Sequence, residues 1–325
     1  MKNKNIKKLI SVFAIGICSV LLSSCLEDTG YLNVFNGENK DIAVVSIGQA
    51  EHGRNVKTVE IKTTPQDLAV IINIARASSD VAVTVSVDAA ALTKYNDEQL
   101  AIDPAFIAFK LLPATTYTIP SATVTIPQGT LDMPFIVKLT SSNVSLAESY
   151  MLPLTITSVD KSDVVIASNM KTSLVAVVVK NRFDGKYTVN GTMVDNVNST
   201  LTGYYPWKAS LVTNGALQNV LQDEEGYFAD PKIHIIKSGT AVSGYGTFAV
   251  TFNFDASNNV VSVINLFGQP AGNTRSAQLD PTGINKWDPV TKTLRVKYFM
   301  IQTNQSTGTG PRVKFDETYT YTGPR

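Results

Sequence analysis

"VAVTVSV", Val81 to Val87, sets valine at every second position, with alanine, threonine and serine between. A period of two sends neighbouring side chains to opposite faces, which predicts a β-strand with one buried face. Similar short runs flank it: Tyr117-Thr118-Ile119, Ala122 to Ile126 and Phe135 to Leu139. Pro120, Pro127-Gln128-Gly129 and Pro134 punctuate them, at the strand ends and edges where proline is tolerated. Leu174 to Val179 is almost wholly apolar and predicts a central strand covered on both faces. Ala89 to Leu100 is the one stretch suited to a short helix. Strands at this spacing, without regular helical crossovers, predict a two-sheet sandwich from about Thr29 to Lys180.

Asn181-Arg182 is a candidate seam, because a second pattern starts at Phe183. Phe248, Val250, Phe252 and Phe254 share one strand face, as do Leu294, Val296, Tyr298 and Met300. Val313 to Tyr321 reads as a closing strand. The expectation is an antiparallel meander curled into a barrel or lipocalin-like sandwich, since closure removes exposed sheet edges. The fold class is all-β: an immunoglobulin-like β-sandwich followed by an antiparallel β-barrel or lipocalin-like domain.

The chain has 325 residues, 44% of them hydrophobic and 17% charged, with a net charge of +1. That composition supports about two domains with real cores and offers no basic stripe for nucleic acid. Lys2, Lys4, Lys7 and Lys8 precede an apolar run from Leu9 to Leu22, a length suited to a signal core and short for a bilayer span. Leu22-Ser23-Ser24-Cys25 follows, and the whole resembles a bacterial lipoprotein signal. The resemblance implies cleavage after residue 24 and acylation of Cys25, whose chains contribute about 0.8 kcal/mol of membrane affinity per buried CH₂. Leu26-Glu27-Asp28 looks like the export signal that Bacteroidota use to place lipoproteins on the outer face of the outer membrane. Removing the signal lowers the basic residues from 28 to 24 against 27 acidic ones. Cys18 would leave with it and Cys25 would carry lipid, so neither a disulfide framework nor a thiolate metal site is expected.

"VTVSVDAAALTKYN", "FKLLPATTYTI", "VTIPQGT", "YMLPLTITSVD" and "TSLVAVVVKN" together resemble one domain of unknown function. It opens many Bacteroidota surface lipoproteins, also precedes some family-18 endo-β-N-acetylglucosaminidases, and implies an immunoglobulin-like fold without transferable catalytic residues. The opening F-x-G-x-Y-x-V-x-G from Phe183 and the closing "FDETYTYTGPR" from Phe315 resemble a second domain of unknown function that follows the first. The expected order is signal peptide 1–24, lipidated linker 25–30, sandwich domain 31–181 and barrel-like domain 182–325.

Catalytic and metal chemistry finds little support. The two histidines, His52 in a polar loop and His234 in an alternating strand, read as exposed and cannot build a usual zinc site. No G-x-S-x-G elbow presents a serine. Asp223-Glu224-Glu225 reads as a solvated turn, and Asp316-Glu317 alternates across a strand, which separates the carboxyls a glycosidase would need together. Asp280 to Asp288 could supply oxygen ligands to calcium but lacks EF-hand spacing. No cofactor or metal and no enzymatic activity is expected.

Aromatic residues carry the remaining signal. Tyr204, Tyr205, Trp207, Tyr227 and Trp287 sit in or beside Gly-, Pro- and Asn-rich stretches. Sugar C–H faces pack on such rings, so a loop platform would suit carbohydrate binding; for Trp207 and Trp287 packing in the core or seam is the preferred reading. With the resemblance, this implies a non-enzymatic, lipid-anchored outer-membrane surface protein of a glycan-utilisation system. Its partners would be oligosaccharide or polysaccharide, an outer-membrane importer and surface glycosidases. The alternative is an adhesin or structural subunit that binds protein. A small-ligand carrier would instead need a cavity lined by Phe248, Phe252 and Tyr298.

Overall fold

The computed structural model describes residues 42–48, 50, 54–75, 78–305 and 310–325. Cys25, the signal, the linker and His52 lie outside them. The first part runs β1 (Ala43–Ile47), β2 (Arg54–Glu60), β3 (Gln66–Ala75), β4 (Val81–Val87), helix α1 (Ala89–Ile102) and β5 (Lys110–Leu111). It continues with β6 (Tyr117–Thr118), β7 (Thr123–Ile126), β8 (Asp132–Leu139), β9 (Tyr150–Val159), β10 (Val164–Ile166) and β11 (Thr172–Lys180).

These form a five-stranded sheet, β10-β1-β3-β8-β6, and a six-stranded sheet, β2-β11-β9-β4-β7 with β5 beside β9. Val83 and Val85 from one sheet meet Ile72, Phe135 and Val137 from the other in a single core. That is the alternation of "VAVTVSV" expressed as packing, since its valines face inward and Ala82 and Thr84 do not. Each fully buried aliphatic or phenyl side chain contributes about 1.5–3 kcal/mol. The Asp88 carboxylate caps α1 by accepting the Ala91 N–H at 3.1 Å, and also accepts the Thr155 hydroxyl at 3.0 Å. Leu92 of α1 packs on Met151 and Ala176, so β11 is covered on both faces: Val175 and Val177 by the core, Ala176 by the helix.

The second part comprises β12 (Gly185–Asp195), β13 (Leu201–Gly203), β14 (Trp207–Gly215), β15 (Gln218–Asp223), β16 (Ile235–Ser238) and β17 (Ala241–Gly244). Then come β18 (Val250–Phe254), β19 (Val260–Asn265), β20 (Arg275–Leu279), β21 (Lys286–Asp288), β22 (Thr293–Gln302) and β23 (Val313–Gly323). All twelve belong to one antiparallel sheet. β12 pairs with β14 near its start, with β13 near its end and with β23 along its length. From there the pairings run one way through β14, β15 and β18 to β19, and the other way through β23 and β22 to β20 and β21.

The two flanks meet. Gln269 Oε1 accepts the N–H groups of Asn265 at 2.9 Å and Ala277 at 2.7 Å, and its Nε2 donates to the Ala277 carbonyl at 2.7 Å. One side-chain amide thus joins the end of β19 to β20. A bridge between Asn259 and Lys286 joins the start of β19 to β21. The sheet therefore curls round an aromatic interior in which Phe183 stacks on Phe254 at 3.8 Å and Tyr298 on Phe315 at 4.7 Å. Phe248, Phe252 and Tyr298 belong to that packed core, so they fill the space a ligand carrier would need open.

Gly191 explains one position of the opening motif. It lies opposite Glu317 in the β12–β23 ladder, and a Cβ there would press on the backbone of Asp316 and Glu317. The close approach of the two strands requires the missing side chain.

Candidate functional site

The structure divides the five predicted aromatics. Trp207 opens β14 but is 2% exposed, its ring 5.6 Å from His234. Trp287 of β21 is 4% exposed and meets Phe183 edge-on at 5.2 Å. Neither ring face is open to a ligand, which corrects the expectation of a tryptophan platform. Both sit in strands whose inward face is the core, and a large ring gains more from burial there than from a loop position. Tyr205 also points inward, its hydroxyl donating to Glu317 Oε1 at 2.5 Å.

Tyr204 and Tyr227 remain at the surface as a pair. Their hydroxyls are 2.7 Å apart and their rings cross at 75° with centroids 5.6 Å apart. Tyr227 is 44% exposed. The Lys237 ammonium of β16 lies 5.4 Å from the centre of the Tyr204 ring. The hydrogen bond to Tyr204 is the main reason the Tyr227 phenol is pushed up to about 12. The loop that carries Tyr227 is tied down by Asp223, whose carboxylate accepts the N–H groups of Glu225 at 2.6 Å and Tyr227 at 3.0 Å. Asp223 is buried, so only part of the acidic run is the solvated turn expected. Glu225 accepts the Lys208 N–H at 3.0 Å, and Glu224 bonds Ser210. These acids hold a loop in place.

A second group of polar residues lies inside the curled sheet. Glu317 is 0% exposed, and its oxygens accept the hydroxyls of Tyr205 at 2.5 Å, Tyr319 at 2.5 Å and Tyr298 at 2.7 Å. His234 Nε2 is 3.2 Å from Glu317 Oε1 and 2.8 Å from the Tyr298 hydroxyl. His234 is buried, which corrects its reading as an exposed strand histidine. Its Nδ1 faces the Ile235 carbonyl at 2.9 Å, and a carbonyl only accepts, so Nδ1 carries a proton.

With a neutral imidazole and a carboxylate, the single Tyr298 proton cannot serve both His234 and Glu317, and two acceptors would face each other. An imidazolium–carboxylate pair and a neutral imidazole with a carboxylic acid each add one proton, so that Nε2 and Oε1 no longer face each other as two acceptors. Burial, the largest influence, pushes the Glu317 carboxyl up, but the charge of His234 and the bonds from His234, Tyr205 and Tyr319 outweigh it and hold it below 4.5. Burial and the nearby Glu317 charge raise Tyr298 and Tyr319. No substrate reaches a carboxylate sealed in this way, so the cluster organises the core.

Asp316 and Glu317 part as expected: Asp316 faces outward to Lys297 Nζ at 2.9 Å while Glu317 is enclosed. In the 280–288 loop, Asp280 accepts the N–H and hydroxyl of Thr282. No group of three or more potential metal-ligating side chains occurs among the described residues. The sequence reading missed the Tyr205, Tyr298, Tyr319 and His234 shell around Glu317. Its one local signal was an acid at a strand position whose neighbours of the same parity, Phe315 and Tyr319, are core aromatics.

A family model described as an N-terminal domain matches residues 35–163, less than half of the chain. No curated protein matches. Solved structures do. A Bacteroides ovatus protein of unknown function is 16% identical, with a TM-score of 0.55, covering 87% of this chain and 95% of that one. An auxiliary nutrient binding protein from Bacteroides thetaiotaomicron VPI-5482 is 14% identical with a TM-score of 0.44, covering 82% of this chain and 90% of that one. A Bacteroides thetaiotaomicron protein solved with a Man5GlcNAc product is 17% identical with a TM-score of 0.32, covering 42% of this chain and 30% of that one. The chain is thus similar in fold to a Bacteroides ovatus protein of unknown function.

Proposed function

We propose that this chain is a non-enzymatic lipoprotein of the outer-membrane surface that binds oligosaccharide or polysaccharide for a glycan-utilisation system. The observation that carries the reading is the Tyr204–Tyr227 pair. An exposed Tyr227, on a loop fixed by Asp223, shares a hydroxyl bond with Tyr204, which lies half-buried against the core beside Lys237. Aromatic faces of this kind stack on sugar C–H groups while hydroxyl and ammonium groups bond sugar oxygens. The sealed Glu317 and the packed interior support a surface contact in place of a reaction or an enclosed ligand. On this reading the first part is an immunoglobulin-like sandwich of residues 31–181 and the second a lipocalin-like barrel of 182–325, with Cys25 as the lipid anchor. An importer and surface glycosidases are its proposed partners.

Isothermal titration against a panel of host and plant glycans tests the binding. Saturable binding that falls at least about tenfold in Tyr204→Ala and Tyr227→Ala is expected; no binding across the panel sinks the reading. A Cys25→Ser chain should leave the membrane fraction, and retention there defeats the anchor.

A protein-binding role is the second reading. Ile102 is 78% exposed and Ile107 80%, with Leu111 and Leu146 also open on the first part. Exposed apolar side chains of this kind suit protein contact. Concentration-dependent oligomers in light scattering would favour it.

A further inference from the structure

A cavity of about 160 Å³ opens in the first part where β9 and β11 stop pairing. β9 begins at Tyr150, which lies opposite Val177, while β11 continues to Lys180. The cavity occupies the place of the next rung, with Val179 of β11 on one side and Glu148 and Ser149, just before β9, on the other.

Strand parity decides what Val179 presents there. Ile156 donates to the Lys171 carbonyl at 2.8 Å, one step beyond the Thr155–Thr172 pair of the β9–β11 register. Bonding pairs alternate along an antiparallel ladder, so odd-numbered residues of β11 turn their N–H and C=O groups toward β9. Even-numbered ones face β2, and the Lys180 carbonyl accepts the Ile61 N–H on that side at 2.9 Å. Val179 is therefore the first residue of β11 whose two groups point toward β9 and meet no strand. No loop backbone takes the place of that strand among the described residues. Unpaired main-chain groups beside a cavity need a partner from outside the chain.

The second part shows what satisfies such a pair. Ala277 presents its N–H and C=O to Gln269, whose side chain offers one acceptor and one donor side by side, each at 2.7 Å. Two adjacent hydroxyls of a sugar ring carry the same combination, one accepting while its neighbour donates. The rest of the lining suits a ring. Tyr150 and Val177 are buried and make an apolar floor, Phe109 forms a wall, and Ser149 adds a hydroxyl. Glu148 brings a carboxylate, held by Lys110 at 2.7 Å. A cavity of about 150 Å³ holds one benzene ring, so this one fits a single six-membered ring and no more. An apolar occupant would leave both Val179 groups bare, and an anion would meet the Glu148 carboxylate.

We propose that this cavity is a second saccharide subsite, taking one neutral sugar ring whose adjacent hydroxyls complete the rung that β9 leaves open at Val179. The sugar rests on the glycan-binding reading; the open donor and acceptor of Val179 do not. The subsite lies in the first part, apart from the Tyr204–Tyr227 pair of the second, so the two can be tested separately.

The Val179 amide resonance of the full chain, followed by NMR during titration with the methyl glycosides of glucose, galactose and mannose, tests it. At least one glycoside should move that resonance saturably and slow its hydrogen exchange about tenfold or more. Permethylated glucose, which accepts hydrogen bonds but cannot donate them, should bind at least about tenfold more weakly. Ser149→Phe, at an exposed position of the wall, should block the site while the other amide resonances stay in place and report an intact fold. The comparison of glycosides with permethylated glucose on the unaltered protein does not depend on any variant. A Val179 amide that no glycoside moves overturns the assignment, as does equal binding of permethylated glucose or of a glycoside to folded Ser149→Phe. Movement by propionamide and by no glycoside would assign the cavity to an amide side chain and overturn the sugar. A Val179 amide moved by sugar, with glycan binding indifferent to Tyr204→Ala and Tyr227→Ala, would keep this subsite and defeat the tyrosine pair. Glycan binding lost in those variants with Val179 unmoved would do the reverse.

Discussion

His234 Nε2 lies 3.2 Å from Glu317 Oε1, with both side chains sealed from water at the centre of the second part. Removing one member leaves the other charged or unpaired in a low dielectric. Glu317→Ala should therefore lower stability by about 3–5 kcal/mol in urea denaturation, while a double variant that also replaces His234 with leucine should recover part of the loss. A loss below about 1 kcal/mol would show that the two side chains do not depend on each other in the core.

Acid should act through the same carboxyl. Glu317 is held below 4.5 in the folded chain, so between that folded value and 4.5 the unfolded chain binds more protons. Its contribution is present above 4.5 and is lost as pH falls through the folded value. Asp184 and Asp195 are likewise held below 3.8 and add to the loss at lower pH. Stability measured stepwise from neutral to acidic pH should decline from about pH 4.5 downward, and Glu317→Gln should flatten the upper part of that decline. An unchanged slope in the variant would rule out Glu317 as its source.

Gln269 joins the end of β19 to both the N–H and the carbonyl of Ala277. Gln269→Leu should cost about 1–3 kcal/mol for each group left without a partner, and the Ala277 amide should exchange hydrogen faster than in the unaltered chain. Equal exchange at Ala277 would mean that water or a shifted backbone replaces the bond.

Tyr227 titrates near 12 chiefly because of the Tyr204 hydroxyl. Tyr204→Phe removes that hydroxyl while keeping the ring, so the Tyr227 phenol should fall towards its usual value of 10 in phenolate absorbance. Glycan affinity should survive this change better than Tyr204→Ala, because stacking needs the ring and not its oxygen. Equal losses in both variants would move the contact from the ring face to the hydroxyl.

The strands themselves were legible. Val81–Val87 runs as its alternation predicts, α1 begins at Ala89 as expected and ends two residues beyond Leu100, and the near-continuous apolar run at Leu174 to Val179 is covered by core and helix. The separation of Asp316 from Glu317 was legible for the same reason. The candidate site was read less well. Trp207, Trp287 and Tyr205 look like loop aromatics because glycine, proline and asparagine surround them, yet those residues mark strand ends, where a side chain can turn inward as readily as out. His234 was misread by the same rule, since alternation gives two faces without saying which one is buried.

Side-chain direction within a strand is a local property, fixed by backbone geometry from one residue to the next, so the amino-acid order alone determined that this chain is built of strands and which residues share a face. The company each face keeps is not local. Tyr205 and Glu317 meet across 112 residues, and Arg275 stands beside Arg312 only because the curled sheet brings the start of β20 near the start of β23. Burial and charge balance depend on such meetings, so only the tertiary structure decided that Glu317 is enclosed by the hydroxyls of Tyr205, Tyr298 and Tyr319 and the ring of His234.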